Sequence, residues 1–195
     1  RVSQQLAGTR MLAQNLATRY FDDDPGGQQH VEKIIDYVAE AAQHVSDLQR
    51  GVMPVQVDRD GLAQGLRELT SRIEKVPGVD AVYDHDGTTD IGNQEVKLQI
   101  YRIAQEATRN AITHGNPSAI QVKFHGETDA IVLTVEDDGD GFDIDEMTRE
   151  TRKGLGLHSM RYRARAVGAT FDIESSAARG TRIEVRVPRS RIADT

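Results

Sequence analysis

Apolar residues recur every three or four positions along the first fifty residues, and every second position along much of the remainder. Val2, Leu6, Thr9, Ala13, Leu16 and Tyr20 are spaced 4, 3, 4, 3 and 4, a seam along one helix face. The run Asp22-Asp23-Asp24-Pro25-Gly26-Gly27 stops it, because proline and paired glycines punctuate strongly. A second seam follows at Val31, Ile34, Val38, Ala41, Val45, Leu48 and Val52, widened by Ile35 and Ala42. Two amphipathic helices joined by a short loop predict an antiparallel hairpin over residues 1–52. A lone hairpin cannot cover both stripes. Either the rest of the chain covers them or a second copy does, and the pattern favours a second copy in a four-helix bundle.

Beyond Met53-Pro54 the register changes. Asp58 or Asp60 can cap a helix carrying Leu62, Leu66, Leu69 and Ile73, which ends at Pro77-Gly78. Residues 79–83 alternate as a short strand before a loop at 84–92. A long helix is predicted from about Asn93 to His114, with Val96, Ile100, Ile103, Ala107 and Ala111 inward and Gly115-Asn116-Pro117 as its stop. Residues 120–125 and 131–136 alternate as strands around a turn at 126–129. A glycine-rich acidic stretch leads to a helix at about 155–167 and strands at 170–174 and 182–187. One-sided alternation, with helices between the strands, implies a mixed sheet covered on one face, an α+β fold. The division is a hairpin at 1–52, a linker at 53–59, an α+β domain at 60–190 and a tail at 191–195.

Composition narrows the setting. The 195 residues include no cysteine, which removes disulfides, thiolate metal sites and thiol nucleophiles. The longest apolar run, 130–135, is interrupted by Thr134 and falls far short of the about 20 residues of a membrane-spanning helix. The opening Arg1-Val2-Ser3-Gln4-Gln5 lacks the apolar region of a signal peptide. Twenty-four basic residues against 31 acidic ones, a net charge of −7, argue against a chain-wide grip on nucleic acid. Arg149, Arg152, Lys153, Arg161, Arg163 and Arg165 do cluster. Acids between Asp137 and Glu150 face them and no stacking aromatics are interleaved, so a collar around a phosphate ligand or a solvated face fits better.

Three patches carry candidate chemistry. Glu106, Asn110 and His114 stand at i, i+4 and i+8 of the long helix, on one face. A carboxylate and an amide one turn apart can offer hard oxygens to Mg²⁺ that also holds phosphates; alone, the pattern also fits a solvated stripe. The second patch, Glu136-Asp137-Asp138-Gly139-Asp140-Gly141-Phe142, follows a strand. Its glycines allow a sharp turn and close approach to a ligand, and a strand-end carboxylate can accept from an exocyclic amine such as that of adenine. A plain turn remains open; an EF-hand calcium loop lacks its late bidentate Glu. The third, Lys153-Gly154-Leu155-Gly156-Leu157, opens a helix whose free N–H groups can meet an anion, although neither G-x4-G-K-[ST] nor G-x-G-x-x-G is present.

Taken in order, with Gly180-Thr181 before the last strand, the patches resemble the nucleotide-binding fold shared by DNA gyrase, heat-shock protein 90, histidine kinases and MutL, the GHKL superfamily. Tyr101-Arg-Ile-Ala-Gln-Glu-Ala and Gly154-Leu-Gly-Leu-His-Ser-Met-Arg161 resemble the NarX/DesK/LiaS-type sensor histidine kinases. The resemblance covers essentially the whole chain. It implies a two-layer Bergerat-type ATP-binding sandwich preceded by the dimerising hairpin, with ATP and Mg²⁺ as cofactors. It assigns Glu106 and Asn110 to Mg²⁺ and the triphosphate, Asp137 to the adenine amine, and Gly139 and Gly141 to the pocket floor. Gly154 and Gly156, with Leu155 and Leu157 between and after them, match the segment under the nucleotide lid; Thr181 lies near the adenine pocket. His114, Lys153 and Arg109 are further nucleotide contacts in this reading. The implied activity is transfer of the ATP γ-phosphoryl to histidine and then to an aspartate of a response regulator. The implied partners are a second copy and the receiver domain of a LuxR-type regulator, without nucleic acid or membrane contact in this stretch. The implied location is cytoplasmic, with any membrane anchor belonging to the parent protein.

Two departures stand out. Relatives often carry Lys where this chain has Thr113, so a cation near the phosphates is missing, for which Arg109 or Lys153 is the expected substitute. The family's acceptor pattern resembles H-D-x-[VIL]-x-Q, and Arg1-Val2-Ser3-Gln4 matches its last four positions but not the His-Asp that opens it. The nucleophile is expected two residues before Arg1; His30 and His44 do not fit the pattern. Two other classes are weighed: an anti-sigma-type nucleotide-binding interaction protein, against which the hairpin speaks, and a gyrase- or MutL-like ATPase, against which the short 142–153 lid speaks.

Overall fold

The computed structural model describes residues 61–87, 89–144, 155–177 and 179–192, together with Gly8, Thr9, Leu12, Ile34 and Val38. The chain divides into two compact units, Arg1–Val52 and Met53–Thr195. In the first unit the five described positions have helical backbone, and Leu12 and Ile34 are 67% and 49% exposed. The rest of the expected hairpin lies outside the described residues, as does the 53–59 linker.

The second unit runs α1 (Gly61–Ile73), β1 (Asp80–His85), α2 (Gln94–Asn110), β2 (Ala119–Gly126), β3 (Ala130–Asp137), α3 (Leu155–Ala166), β4 (Thr170–Ser176) and β5 (Gly180–Pro188). The strands form one sheet in the order β1-β2-β3-β5-β4, with β1 parallel to β2 and every other pairing antiparallel. This is the mixed sheet covered on one face that the alternation predicts, and the two-layer α+β sandwich that the resemblance implies. Ile120, Val122 and Phe124 of β2, Ile131, Leu133 and Val135 of β3, and Ile183, Val185 and Val187 of β5 are buried in one core. Leu62, Leu66, Leu69 and Ile73 of α1, Ile100 and Ile103 of α2, and Met160 and Ala164 of α3 complete that core. No helix among the described residues is long and apolar enough to cross a membrane.

The sheet's other face is polar. Lys123 Nζ and Arg182 Nε meet the two oxygens of Glu136 at 2.8 and 2.9 Å, and Arg186 meets Glu127 at 2.6 Å. Long charged side chains can lay their apolar stems along a sheet, and Val132 and Thr134 on that face of central β3 are only 7% and 6% exposed.

The strands run one or two residues beyond most of their expected ends, and two differences bear on the architecture. Strand β1 continues to His85, two residues past its predicted end, because parallel pairing with β2 carries through His85↔Phe124. The His85 ring there stacks between Tyr83 and Phe124 at 5.9 Å from each. The long helix starts where predicted: Asn93 Oδ1 accepts from the Glu95 and Val96 N–H groups at 3.0 and 3.2 Å. Its α-form stops at Asn110, however, and Ala111–Gly115 is a π-helical turn closed by Asn116 in the left-handed region, φ 47°. Such wider turns are rare and often accompany functional sites.

Candidate functional site

Strand β3 ends at Asp137, and the antiparallel register sets Thr181 of β5 opposite it. Asp137 is half-buried, and its Oδ1 accepts from the Gly139 N–H at 2.9 Å. Burial pushes its carboxyl above the ordinary Asp value, and the neighbouring Asp138 charge adds to this; N–H groups of Gly139 and Thr181 pull the other way.

The chain after Asp137 lies directly on the end of the π turn. A Cβ on Gly139 would stand 2.2 Å from Gly115 O and 2.9 Å from Asp137 Oδ1, so no side chain fits. Asp140 N–H donates to Gly115 O at 2.6 Å. Gly141 has φ +58°, and a Cβ there would meet Ser176 O at 2.2 Å. Phe142 N–H donates to Ser175 Oγ at 2.9 Å, and Ser175 Oγ lies 3.0 Å from Thr181 Oγ1. The loop is thus pinned to the end of the π turn on one side and to β4 and β5 on the other.

Asp138 does different work. It accepts from the N–H groups of Ser118 and Ala119 at 2.8 and 2.7 Å and from the Ser118 hydroxyl. Those donors hold its carboxyl below the ordinary value. Of two adjacent aspartates, one ties β2 to β3; the other keeps acceptor capacity in a desolvated corner. A cleft of about 710 Å³ opens past these strand ends, lined by Asp137, Asp138, Gly180, Thr181 and mostly by open-face side chains such as Glu136 and Arg182.

Glu106 and Asn110 occupy the last turns of α2, and the start of α3 rests against them. A Cβ on Gly156 would lie 2.6 Å from Glu106 Oε1 and 2.8 Å from Asn110 Nδ2. The first and third sequence patches therefore meet, and the π turn that follows α2 brings Gly115 to the second. Glu106 is gripped by Arg109, whose Nη2 is 2.6 Å and 2.8 Å from Oε1 and Oε2, with Nε 3.2 Å from Oε2. Arg109, the expected phosphate contact, is engaged with this carboxylate.

His114 is exposed and sits within the π turn, which departs from the 3.6-residue spacing behind its i+8 placement. Lys153 and Gly154 lie outside the described residues; Leu155 begins α3, and Leu157 packs on the core. No cluster of three or more His, Cys, Asp or Glu that could hold a metal occurs among the described residues. Glu106 and Asn110 offer a pair of oxygen donors, which fits Mg²⁺ with its remaining positions filled by water or by a ligand's phosphates. Ser175 and Ser118 were not singled out by sequence; a serine inside an alternating strand or after a proline carries no distinguishing pattern.

Residues 95–191 match the family described as Histidine kinase-, DNA gyrase B-, and HSP90-like ATPase. The chain is 31% identical over 195 residues to Sensor protein VraS of Staphylococcus haemolyticus, covering 99% of this chain and 53% of that protein. It is 30% identical over 192 residues to Sensor protein VraS of Staphylococcus aureus strain COL, covering 97% and 53%. The chain thus spans about half the length of the curated relatives it matches. Among solved structures, the histidine kinase domain of the Erythrobacter litoralis EL346 blue-light activated histidine kinase superposes with TM-score 0.57. It does so at 20% identity, over 98% of this chain and 96% of that one. The ATP binding domain of PrrB from Mycobacterium tuberculosis superposes with TM-score 0.52 at 20% identity, over 65% and 93%. These two likenesses speak to the fold. With residues 95–191 matching that family, the chain belongs to the histidine kinase-, DNA gyrase B-, and HSP90-like ATPases, and over nearly its whole length it is similar to sensor proteins.

Proposed function

We propose that this chain is the nucleotide-binding and dimerising part of a two-component sensor kinase of NarX/DesK/LiaS type. The whole protein then moves the ATP γ-phosphoryl to a histidine nitrogen, and from there to an aspartate in the receiver domain of a LuxR-type regulator. The observation that carries this reading is the arrangement along α2. Glu106 and Asn110 meet the start of α3, and beyond them Gly115 meets the Asp137 corner.

Asp137 accepts from the adenine amine, in a half-buried corner where that hydrogen bond discriminates between bases. Gly139 and Gly141 keep the floor free of side chains, and Thr181, tied to Ser175, forms the adjacent wall. Lys153, Gly154, Leu155, Gly156 and Leu157 present backbone N–H groups and one ammonium to the phosphates, with exposed His114 as a further contact. Asn110 and Glu106 hold Mg²⁺, which when bound neutralises phosphate charge during transfer. The hairpin pairs with a second copy; exposed Leu12 and Ile34 support that role.

Neither His30 nor His44 fits the acceptor pattern, so this chain alone is expected to bind Mg·ATP without phosphorylating itself. Incubation with γ-labelled ATP tests this: little sustained turnover and no acid-labile protein phosphate are expected. Fast steady hydrolysis without phosphohistidine would favour a gyrase- or MutL-like clamp, and stoichiometric acid-labile phosphate would make His30 or His44 the acceptor.

A further inference from the structure

Arg109 follows Glu106 by three residues on α2 and holds both its oxygens. The partners are unequally placed: the Arg109 side chain is 58% exposed and that of Glu106 15%. Exposed ion pairs one turn apart contribute little to stability, so the consequence of this one lies with the carboxylate. Glu106 Oε1 also borders the point that a Gly156 Cβ would fill, beside Asn110 Nδ2. A divalent cation approaching Glu106 therefore meets a carboxylate already paired with a guanidinium fork.

We propose that Arg109 is a cation latch. It covers Glu106 while the site is empty, and Mg²⁺ arriving with a triphosphate displaces it, freeing the guanidinium for phosphate oxygens. This rests on the nucleotide reading above. A guanidinium matches phosphate as well as carboxylate, and Arg109's exposure leaves room for the exchange. The latch spares the empty site an uncompensated, largely buried Glu106 and returns a positive charge to the ligand when metal takes its place. Arg109 is in this account a positioning residue for Glu106 and a contact for the bound nucleotide.

The test compares the unmutated chain with Arg109→Ala, Arg109→Lys and Glu106→Gln. Each is titrated with Mn²⁺ alone, a paramagnetic stand-in for Mg²⁺ read by electron spin resonance, and with ATP at fixed Mg²⁺ by calorimetry. Arg109→Ala is expected to bind Mn²⁺ about fivefold more tightly and Mg·ATP about tenfold more weakly. Arg109→Lys recovers part of the ATP loss, and Glu106→Gln binds Mn²⁺ more weakly and metal-free ATP more tightly. Opposite signs in the two arms are what a merely structural pair cannot produce. Weakening in both arms with a lower melting temperature, or no change in either, overturns the latch. Should the unmutated chain bind no adenine nucleotide, the nucleotide reading fails. The latch is then decided by the Mn²⁺ arm, where an unchanged affinity in Arg109→Ala sinks it.

Discussion

The Asp137 corner and the Glu106 corner of the site are held by opposite means. At Asp137 the backbone does the holding: Gly139 and Asp140 lie on Gly115, Gly141 lies on Ser176, and Thr181 is locked by strand register. At Glu106 the holding is by side chains, a guanidinium fork and an amide against the first turn of α3. Backbone against backbone leaves no freedom, whereas the ends of long side chains can move. The proposed function asks one corner to recognise a flat base and the other to exchange cations, and the two constructions suit those tasks.

The comparison breaks most sharply at two glycines. Gly139→Ala forces a Cβ against the Gly115 carbonyl and should cost about 3 kcal/mol in denaturant unfolding, with nucleotide binding lost. Gly156→Ala meets only the tips of Glu106 and Asn110, so it should fold with a loss below about 1 kcal/mol while Mg·ATP binding collapses. Equal destabilisation at both positions would erase the distinction.

Next in size is the pair of adjacent aspartates. Asp137→Asn should weaken ATP binding about thirtyfold by removing a charged acceptor. Its effect on stability has the other sign. Because burial raises the Asp137 carboxyl above 3.8, the folded state binds its proton more readily than the unfolded one, and stability falls as pH rises past 3.8. Asp137→Asn should therefore raise the thermal midpoint at pH 7, and the gain should close as pH drops below 3.8. Asp138 is lowered instead, so its contribution is present above 3.8 and lost as pH falls through its lower folded value. Asp138→Asn should lower the midpoint at pH 7 while leaving base selectivity intact. Smallest is Ser175→Ala: losing the bonds to Phe142 N–H and Thr181 Oγ1 should cost about 1 kcal/mol and a few-fold in ATP affinity, read by calorimetry.

The fold was legible wherever a period carried it. The inward set Val96, Ile100, Ile103, Ala107 and Ala111 is buried to the last residue, and strands β2 and β3 differ from expectation by one residue at each end. The glycine-rich motifs were legible because close approach admits no other residue. The π turn was not, since nothing in Ala111–Gly115 breaks an α-helical pattern and the Gly115–Gly139 contact is tertiary. The Arg109 grip on Glu106 was visible only as an i, i+3 spacing, which exposed helices carry everywhere. Ser175 owes its role to Phe142, 33 residues earlier, and no local pattern records such a partner.

The central claim, that the Asp137 corner reads adenine, is tested most directly by calorimetric titration of the unmutated chain and Asp137→Asn with Mg·ATP and Mg·GTP. The account predicts at least about tenfold preference for ATP in the unmutated chain, and its disappearance in Asp137→Asn. Equal affinity for the two nucleotides in the unmutated chain would contradict it.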